Sequence, residues 1–230
     1  MGGVTLQDIV RQGYPAYEQS HPVPAHMRKA AQAIMHCRTA ALGGHIQACP
    51  EGHFQRIWYN SCRHRACPQC AFIEVERWLA KHRARLLACD HYHVIFTMPH
   101  DLNPLWRHNA PRLTRLLFQS VRDTLVSLLA DPKYLGAQPG ILAALHTWGQ
   151  TLVLHPHVHC LVTGGGLTPT GAWQPVRHGF LLPVRVVMAV FRGKLLAALR
   201  TAWERQELHL PGDLRPSAFL NLLTRLGHPR

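Results

Sequence analysis

The chain has 230 residues, and its 25 lysines and arginines against 12 aspartates and glutamates give a formal net charge of +13. With 47% hydrophobic and only 16% charged residues, the composition excludes a wholly disordered polycation and favours a folded protein with a basic surface. Such a surface most often binds nucleic acid, although membrane-surface or ribosome-like binding also fits the charge. The sequence contains no apolar run of about 18 residues, so a membrane-spanning helix is not expected.

The first part of the chain is predicted to be a small cysteine-rich module. Apolar residues recur at helical intervals over residues 27–41, and Gly43-Gly44 is a natural helix stop. Residues 43–70 should form loop and a short hairpin. A linker helix is then expected from Phe72 to Leu87.

The remainder of the chain is predicted to alternate strands and helices, which favours an α+β fold with helices on one face of an antiparallel sheet. The predicted domains are 1–88, with the linker helix, and 89–230. The predicted elements of the second domain are a strand at 91–97, a helix from about Pro111 to Asp131, apolar stretches at 141–154 and 158–163 (the latter ended by three glycines), and a long helix from 184 to 203.

Five of the seven cysteines fall between residues 37 and 70. No secretory signal is visible, so a reducing, cytoplasmic compartment is expected, where clustered cysteines are metal ligands more often than disulfides. The pair Cys67 and Cys70 can supply two thiolates to one tetrahedral zinc, and Cys49 with His53 is the nearest candidate for the second pair. The surplus donors permit a second metal or a different set of four. They are Cys37, His45, Cys62 and His64.

Two other interpretations of these cysteines are weaker. Buried free thiols would not explain their close spacing. A redox-active pair is disfavoured because Cys67 and Cys70 are not expected to open a helix after a strand.

A second cluster of potential ligands is the sequence His155-Pro-His-Val-His159. Residues i and i+2 of a strand project from one face about 7 Å apart, so His157 and His159 can share one divalent metal while Val158 faces the core. Pro156 cannot donate to a strand ladder, which makes His155 a less secure ligand. The third ligand is expected from Gln150 or His93. Ordinary surface or core histidines are the alternative, because this chain has 18 histidines.

Four ordered motifs stand out along the chain. They are Cys37-Arg-Thr-Ala-Ala-Leu-Gly-Gly-His45, Tyr59-Asn-Ser-Cys62-Arg-His-Arg-Ala-Cys67-Pro-Gln-Cys70, His93-Val-Ile-Phe-Thr-Met-Pro99, and Trp148-Gly-Gln-Thr-Leu-Val-Leu-His-Pro-His-Val-His159 followed by Gly164-Gly-Gly166. With these motifs the chain resembles, over about residues 25 to 205, the HUH rolling-circle transposases of the insertion-sequence-91 group.

The resemblance implies an N-terminal transposase zinc-binding domain with structural zinc, followed by a ferredoxin-like nuclease palm. In that palm, His157-Val-His159 would be the HUH motif and hold a divalent metal such as Mg²⁺ or Mn²⁺. The implied partner is single-stranded transposon-end DNA, which a tyrosine of such enzymes attacks to form a 5′-phosphotyrosyl link.

The sequence departs from the family pattern at three points. Gly52 stands where the family has a second cysteine, so His53 is expected to substitute, and Ala66 replaces a histidine. The family's nucleophilic tyrosines follow the HUH strand, whereas all five tyrosines here precede it. The chain is therefore expected to be C-terminally truncated and unable to cleave DNA.

Basic residues of the predicted helices are candidates for a phosphate track. They are Arg77, Lys81, Arg83, Arg85, Arg112 and Arg115. Two other functions stay open at this stage: a non-catalytic zinc-containing DNA-binding or regulatory protein, and, more weakly, an RNA-binding module, since no RNP-like aromatic strand is evident.

Overall fold

The computed structural model describes residues 3–228, so the first two residues of the predicted first domain and the last two of the second lie outside it. The chain divides into two compact units, Met1–Leu86 and Leu87–Arg230. The sequence predicted a boundary two residues further along. We call these units the N-unit and the C-unit.

The N-unit begins with two helices, of which the sequence predicted only the second. Helix α1, Leu6–Ser20, starts at a capping box in which Thr5 and Asp8 satisfy each other's backbone N–H groups. Helix α2, Ala25–His36, lacks the last turn that was expected. Of the N-unit residues that the structure describes, only Ala31, Ile34, Cys37 and Cys67 are buried.

A hairpin and a third helix complete the N-unit. Strands β1, Gly44–Ala48, and β2, Gln55–Tyr59, pair antiparallel, as the predicted hairpin requires. Helix α3, Pro68–Arg83, begins earlier than expected because Pro68 occupies a first-turn position that suits proline. Cys67 is therefore the N-cap of α3, and the expectation that the Cys67–Cys70 pair opens no helix is wrong.

The C-unit is built on an antiparallel sheet with strand order β3-β5-β4. The strands are β3 His91–Thr97, β4 Gln138–Trp148, β5 Leu154–Leu167 and β6 Trp173–Pro175. The short β6 pairs with the far end of β5. Alternation along the central strand β5 buries Val158, Cys160 and Val162 completely against the helices, and it turns His157 and His159 to the opposite face.

Three helices cover the buried face of this sheet. They are α4 Asn103–Ala130, α5 Val184–Glu204 and α6 Pro216–Gly227. Helix α4 is kinked at Asn109, whose φ of −133° is non-helical, and Pro111 lies in the first turn of the straight segment that follows, as the sequence predicted. The core is continuous across α4, α5, α6 and β5, with Phe96 of β3 packed on Phe191 of α5. The fold is α+β with helices and antiparallel sheet, which confirms the predicted class.

The three consecutive glycines, residues 164–166, do not end β5. They allow close packing instead: a Cβ on Gly165 would lie 2.5 Å from the Trp173 ring, and one on Gly166 would lie 2.5 Å from the Gln138 carbonyl oxygen. The strand therefore continues to Leu167.

Within residues 3–228, none of the helices combines the length and the apolarity needed to cross a membrane.

Candidate metal centres

Four cysteines converge in the core of the N-unit. The Sγ atoms of Cys37, Cys62, Cys67 and Cys70 all lie within 4.8 Å of one another. Cys37 Sγ is 3.4 Å and Cys62 Sγ is 3.6 Å from Cys70 Sγ. Sulfurs bound tetrahedrally to zinc at 2.3 Å would be about 3.8 Å apart, so the four thiols match a closed structural zinc site.

Each cysteine is positioned by a different piece of local structure. Cys37 ends α2, Cys67 caps α3, and Cys70 lies in its first turn, where the helix dipole favours a thiolate. Cys62 accepts a hydrogen bond from the backbone N–H of His64 at 3.4 Å. Cys37 and Cys62 were both among the candidate donors, but they lie 25 positions apart in the sequence, and this spacing gave no direct indication of the convergence.

The thiols differ in acidity. Burial raises the pKa of the Cys62 thiol to about 12. Burial acts in the same direction on Cys70, but hydrogen bonds from the Cys37 and Cys62 thiols outweigh it and lower the pKa of Cys70 to about 7. Cys70 is therefore the thiol that ionises most readily in the metal-free cluster, and metal binding would displace the protons of the other thiols.

Helix α1, which the sequence did not predict, is hydrogen-bonded to the C-terminal end of α2, where Cys37 lies. The side-chain amide of Gln7 donates hydrogen bonds to the carbonyl oxygens of Ile34, Met35 and Cys37 at 2.9, 3.1 and 2.8 Å. These carbonyls lie at the C-terminal end of α2, where the Ile34 carbonyl also accepts from the Cys37 N–H and the Met35 carbonyl also accepts from the Arg11 guanidinium.

The structure does not bring Cys49 and His53 to the Cys37–Cys70 cluster, so the predicted pairing with Cys67 and Cys70 is wrong. The two residues lie at the tip of the β1–β2 hairpin, while Cys37 and Cys62 flank its base, and five residues of strand separate the two ends by about 17 Å. At the tip, Cys49, Glu51 and His53 form a separate, more exposed group of donors within 4.8 Å, with Cys49 Sγ 3.6 Å from His53 Nδ1.

Three histidines meet on the open face of the C-unit sheet. His157 and His159 project from β5 as predicted, and His146 lies directly across from His157 on β4. The three imidazoles place one nitrogen each within 4.8 Å of the others. Gln150, a predicted third ligand, lies in the turn between β4 and β5. His146 was not identified from the sequence.

Neighbouring groups orient two of these rings. His157 Nδ1 lies 2.6 Å from the His155 carbonyl oxygen and therefore carries its proton there, which leaves Nε2 free to coordinate. His93, the other predicted third ligand, contacts His159 instead, with His93 Nε2 2.7 Å from His159 Nδ1. Burial, with His146, His157 and His93 nearby, lowers the pKa of His159, so this imidazole is neutral at neutral pH.

His155 points toward a different partner. Its Nδ1 lies 3.1 Å from His100 Nε2, outside the group of three. Burial, together with His100 and His157, lowers the pKa of His155.

The predicted phosphate-track residues differ in their surroundings. Arg77 forms an ion pair with Glu74 at 2.8 Å, and Arg112 forms one with Glu207. The others are exposed and form no ion pair among residues 3–228. They are Lys81, Arg83, Arg85 and Arg115.

Two family models match the sequence. Residues 9–98 match a transposase zinc-binding domain, which contains the whole four-cysteine cluster. Residues 140–229 match a putative transposase family, which contains the histidine group.

Two curated relatives and several solved structures are similar to the chain. It is 42% identical over 215 residues to the putative transposase y4qJ of Sinorhizobium fredii, covering 93% of this chain and 54% of that protein. It is 36% identical over 143 residues to the transposase for insertion sequence element IS801 of Pseudomonas savastanoi pv. phaseolicola, covering 61% of this chain and 34% of that protein. The chain thus spans about half, or less, of the length of these relatives.

Solved structures of the conjugative relaxase TrwC in complex with oriT DNA, in its metal-bound and metal-free forms, align with 47% of this chain at a TM-score of 0.39 and 16–17% identity. The alignments cover 42% of the metal-bound and 43% of the metal-free relaxase chain. The family models and the named relatives agree with the resemblance carried by the motifs. The chain belongs to the insertion-sequence-91 group of transposases and carries the group's zinc-binding domain.

Proposed function

We propose that this chain binds single-stranded transposon-end DNA through a divalent metal held by His146, His157 and His159, while the four cysteines of the N-unit hold a structural zinc. The observation that carries the proposal is the convergence of three imidazoles on the open face of a sheet whose other face is a packed core. We further propose that the protein acts in the cytoplasm, where its seven free cysteines stay reduced.

The donor set fits such a metal. His157 and His159 each have one nitrogen engaged by a neighbouring group, so the other nitrogen can coordinate, and His146 supplies the third ligand. A divalent cation at this position supplies positive charge to a phosphate oxygen of the DNA strand. Three protein ligands would leave coordination positions for a phosphate oxygen and for water.

An exposed aromatic ring beside the triad supports a single-stranded substrate. Trp148 ends β4 with 55% of its surface exposed, and its ring is stacked on His146 at a centroid distance of 5.9 Å and an angle of 4°. An unpaired base can stack on such a ring, whereas a base inside a duplex cannot reach it.

The tyrosines of the C-unit do not face this site. Tyr92 alternates with His93 along β3 and packs on the core, and Tyr134, in the turn after α4, packs on it as well. We therefore propose that the chain binds the strand without forming a tyrosyl–DNA link on its own.

The test measures binding of a fluorescein-labelled 20-nucleotide oligo(dT) with Mn²⁺ or with chelator, by fluorescence anisotropy. Mn²⁺ should strengthen binding to the wild type but not to His157→Ala, and Trp148→Ala should weaken binding by roughly 5- to 100-fold. His108→Ala, an exposed histidine of α4 outside the triad, is the matched control. Metal-independent binding would refute the proposed role of the triad, and a covalent adduct on a denaturing gel would refute the absence of a nucleophile.

The second candidate is a non-catalytic zinc-containing DNA-binding or regulatory protein. It is favoured by the core-facing positions of Tyr92 and Tyr134. Under this alternative, duplex binding would persist unchanged in His157→Ala and the Mn²⁺ dependence would be absent.

A further inference from the structure

The β1–β2 hairpin contributes none of the three histidines of the candidate metal site, and every residue of its two strands is exposed. A two-stranded ribbon without a buried face is marginally stable on its own. The hairpin is held at its base, where the Asn60 N–H donates to the Gly43 carbonyl and the Arg38 N–H donates to the Asn60 carbonyl, each at 3.0 Å. The ribbon therefore projects from the zinc-binding part of the N-unit.

One face of the ribbon is polar and internally ordered. The register places His45 opposite Trp58 and Gln47 opposite Arg56, so these four side chains share a face. The Trp58 indole N–H donates to Gln47 Oε1 at 2.9 Å, and the Arg56 guanidinium carbon lies 4.0 Å from the centroid of the Trp58 ring. The opposite face carries Ile46, among other apolar residues.

This order leaves base-reading groups pointing outward. Because the Gln47 oxygen accepts from the indole, the orientation of its amide is fixed, and its NH₂ group and the second lone pair of its oxygen stay available. Stacking on the Trp58 ring likewise fixes the orientation of the planar Arg56 guanidinium group. Arginine reads guanine and glutamine reads adenine by paired hydrogen bonds in the major groove, and here the two lie directly opposite one another.

The charge around the ribbon complements DNA. Arg38, Arg63 and Arg65 are exposed at its base and Arg56 lies on its polar face. Among residues 3–228, none of the four forms an ion pair. Arginines at the base of a ribbon can contact the phosphates that border a groove, while the face of the ribbon reaches the bases.

We propose that the β1–β2 hairpin enters the major groove of duplex DNA with the Gln47–Arg56 face toward the bases. The groove is about 12 Å wide and accommodates a two-stranded ribbon. This inference rests on DNA being the partner, as in the proposed function, but it assigns duplex recognition to a surface separate from the histidine site.

The experiment uses the full zinc-loaded chain with two labelled probes at fixed salt: a 30-base-pair duplex pool randomised at its central positions, and oligo(dT). After selection of bound duplexes, Arg56→Ala and Gln47→Ala should each weaken binding to the selected duplex by roughly 5- to 100-fold and leave oligo(dT) binding unchanged. Methylation of guanine N7, which lies in the major groove, should reduce wild-type binding.

Gln55→Ala is the matched control, because Gln55 lies opposite Ala48 on the other face of the same ribbon. Arg56→Lys keeps the charge without the fork, so it should lose sequence selectivity while retaining the salt dependence of binding. Equal losses on duplex and oligo(dT), or equal losses for Gln55→Ala and Gln47→Ala, would overturn the inference. Unchanged zinc content in each variant shows that the N-unit is intact. Failure of the proposed function would appear separately, as Mn²⁺-independent oligo(dT) binding.

Discussion

Removing the metal from the N-unit should unfold that unit and leave the C-unit folded. Of the N-unit's described residues only four are buried, two of which are cysteines of the cluster, and Ile34 is the largest aliphatic among them. Full burial of such a side chain contributes about 1.5–3 kcal/mol. A structural zinc contributes about 10–16 kcal/mol, which is comparable with the whole stability of an ordinary domain.

Cys67→Ser is the sharpest perturbation, because it removes one ligand with little change in volume. We expect zinc content to fall and amide hydrogen exchange to become fast throughout α2 and the hairpin, while β5 stays protected. Cys89→Ser, outside the cluster, should change neither zinc content nor exchange. If Cys67→Ser lost its zinc but kept the wild-type exchange protection of α2, the N-unit would not depend on the metal and the reasoning would be refuted.

Three further outcomes test the C-unit. His93→Phe should lower Mn²⁺ affinity by roughly 10- to 100-fold in a calorimetric titration, because His159 loses the partner that orients it; unchanged affinity would contradict that role. The pKa values of His155 and His159 in the folded chain are lower than their unfolded value of 6.5, so the unfolded chain takes up protons at a higher pH than the folded chain. The metal-free protein should therefore lose stability as the pH falls below 6.5. A urea unfolding midpoint that is equal at pH 7.5 and 5.5 would be inconsistent with this. Gly165→Ala places a Cβ within 2.5 Å of the tryptophan ring of β6 and should cost about 1–3 kcal/mol in thermal unfolding, whereas Gly193→Ala in α5 meets open space and should stabilise by about 0.5–1 kcal/mol.

The sequence predicted the α+β class and strand β3 at its observed bounds, because a run of β-branched and aromatic residues ended by a proline leaves few other structures. It did not predict helix α1, because Gly13 and Pro15 lie inside the segment and both weaken helices. Its Thr5–Asp8 capping box is a local signal, but the hydrogen bond from Gln7 to Ile34 joins residues 27 positions apart, which a local pattern does not contain.

The histidine site shows a second limit of sequence reasoning. Trp148 pairs with Leu154, so a regular hairpin would place Leu145 opposite His157. A β-bulge between His146 and Trp148 shifts the register by one residue and brings His146 there instead. One-residue shifts reverse which face a side chain occupies, and no local pattern here indicates this one.

The cysteine spacing was informative about chemistry but not about grouping. Cys67 and Cys70 could be assigned together because a short turn forces them close. Which of the remaining donors completes the set depends on where the hairpin bends, and its strands carry Cys49 away while returning Cys62 beside Cys37.

Joined through one metal, Cys37 and Cys62 close a loop of about 25 residues that contains the hairpin. Such a cross-link lowers the entropy of the unfolded chain and so stabilises the fold by about 3.5 kcal/mol at 25 °C by the loop-closure relation. This stabilisation depends only logarithmically on loop length, so doubling the loop would change it by about 0.6 kcal/mol. Extra residues inserted at the tip, between Cys49 and Phe54, should therefore leave the ribbon's base nearly as well tethered, and the reach of the hairpin can change without loss of the fold that supports it.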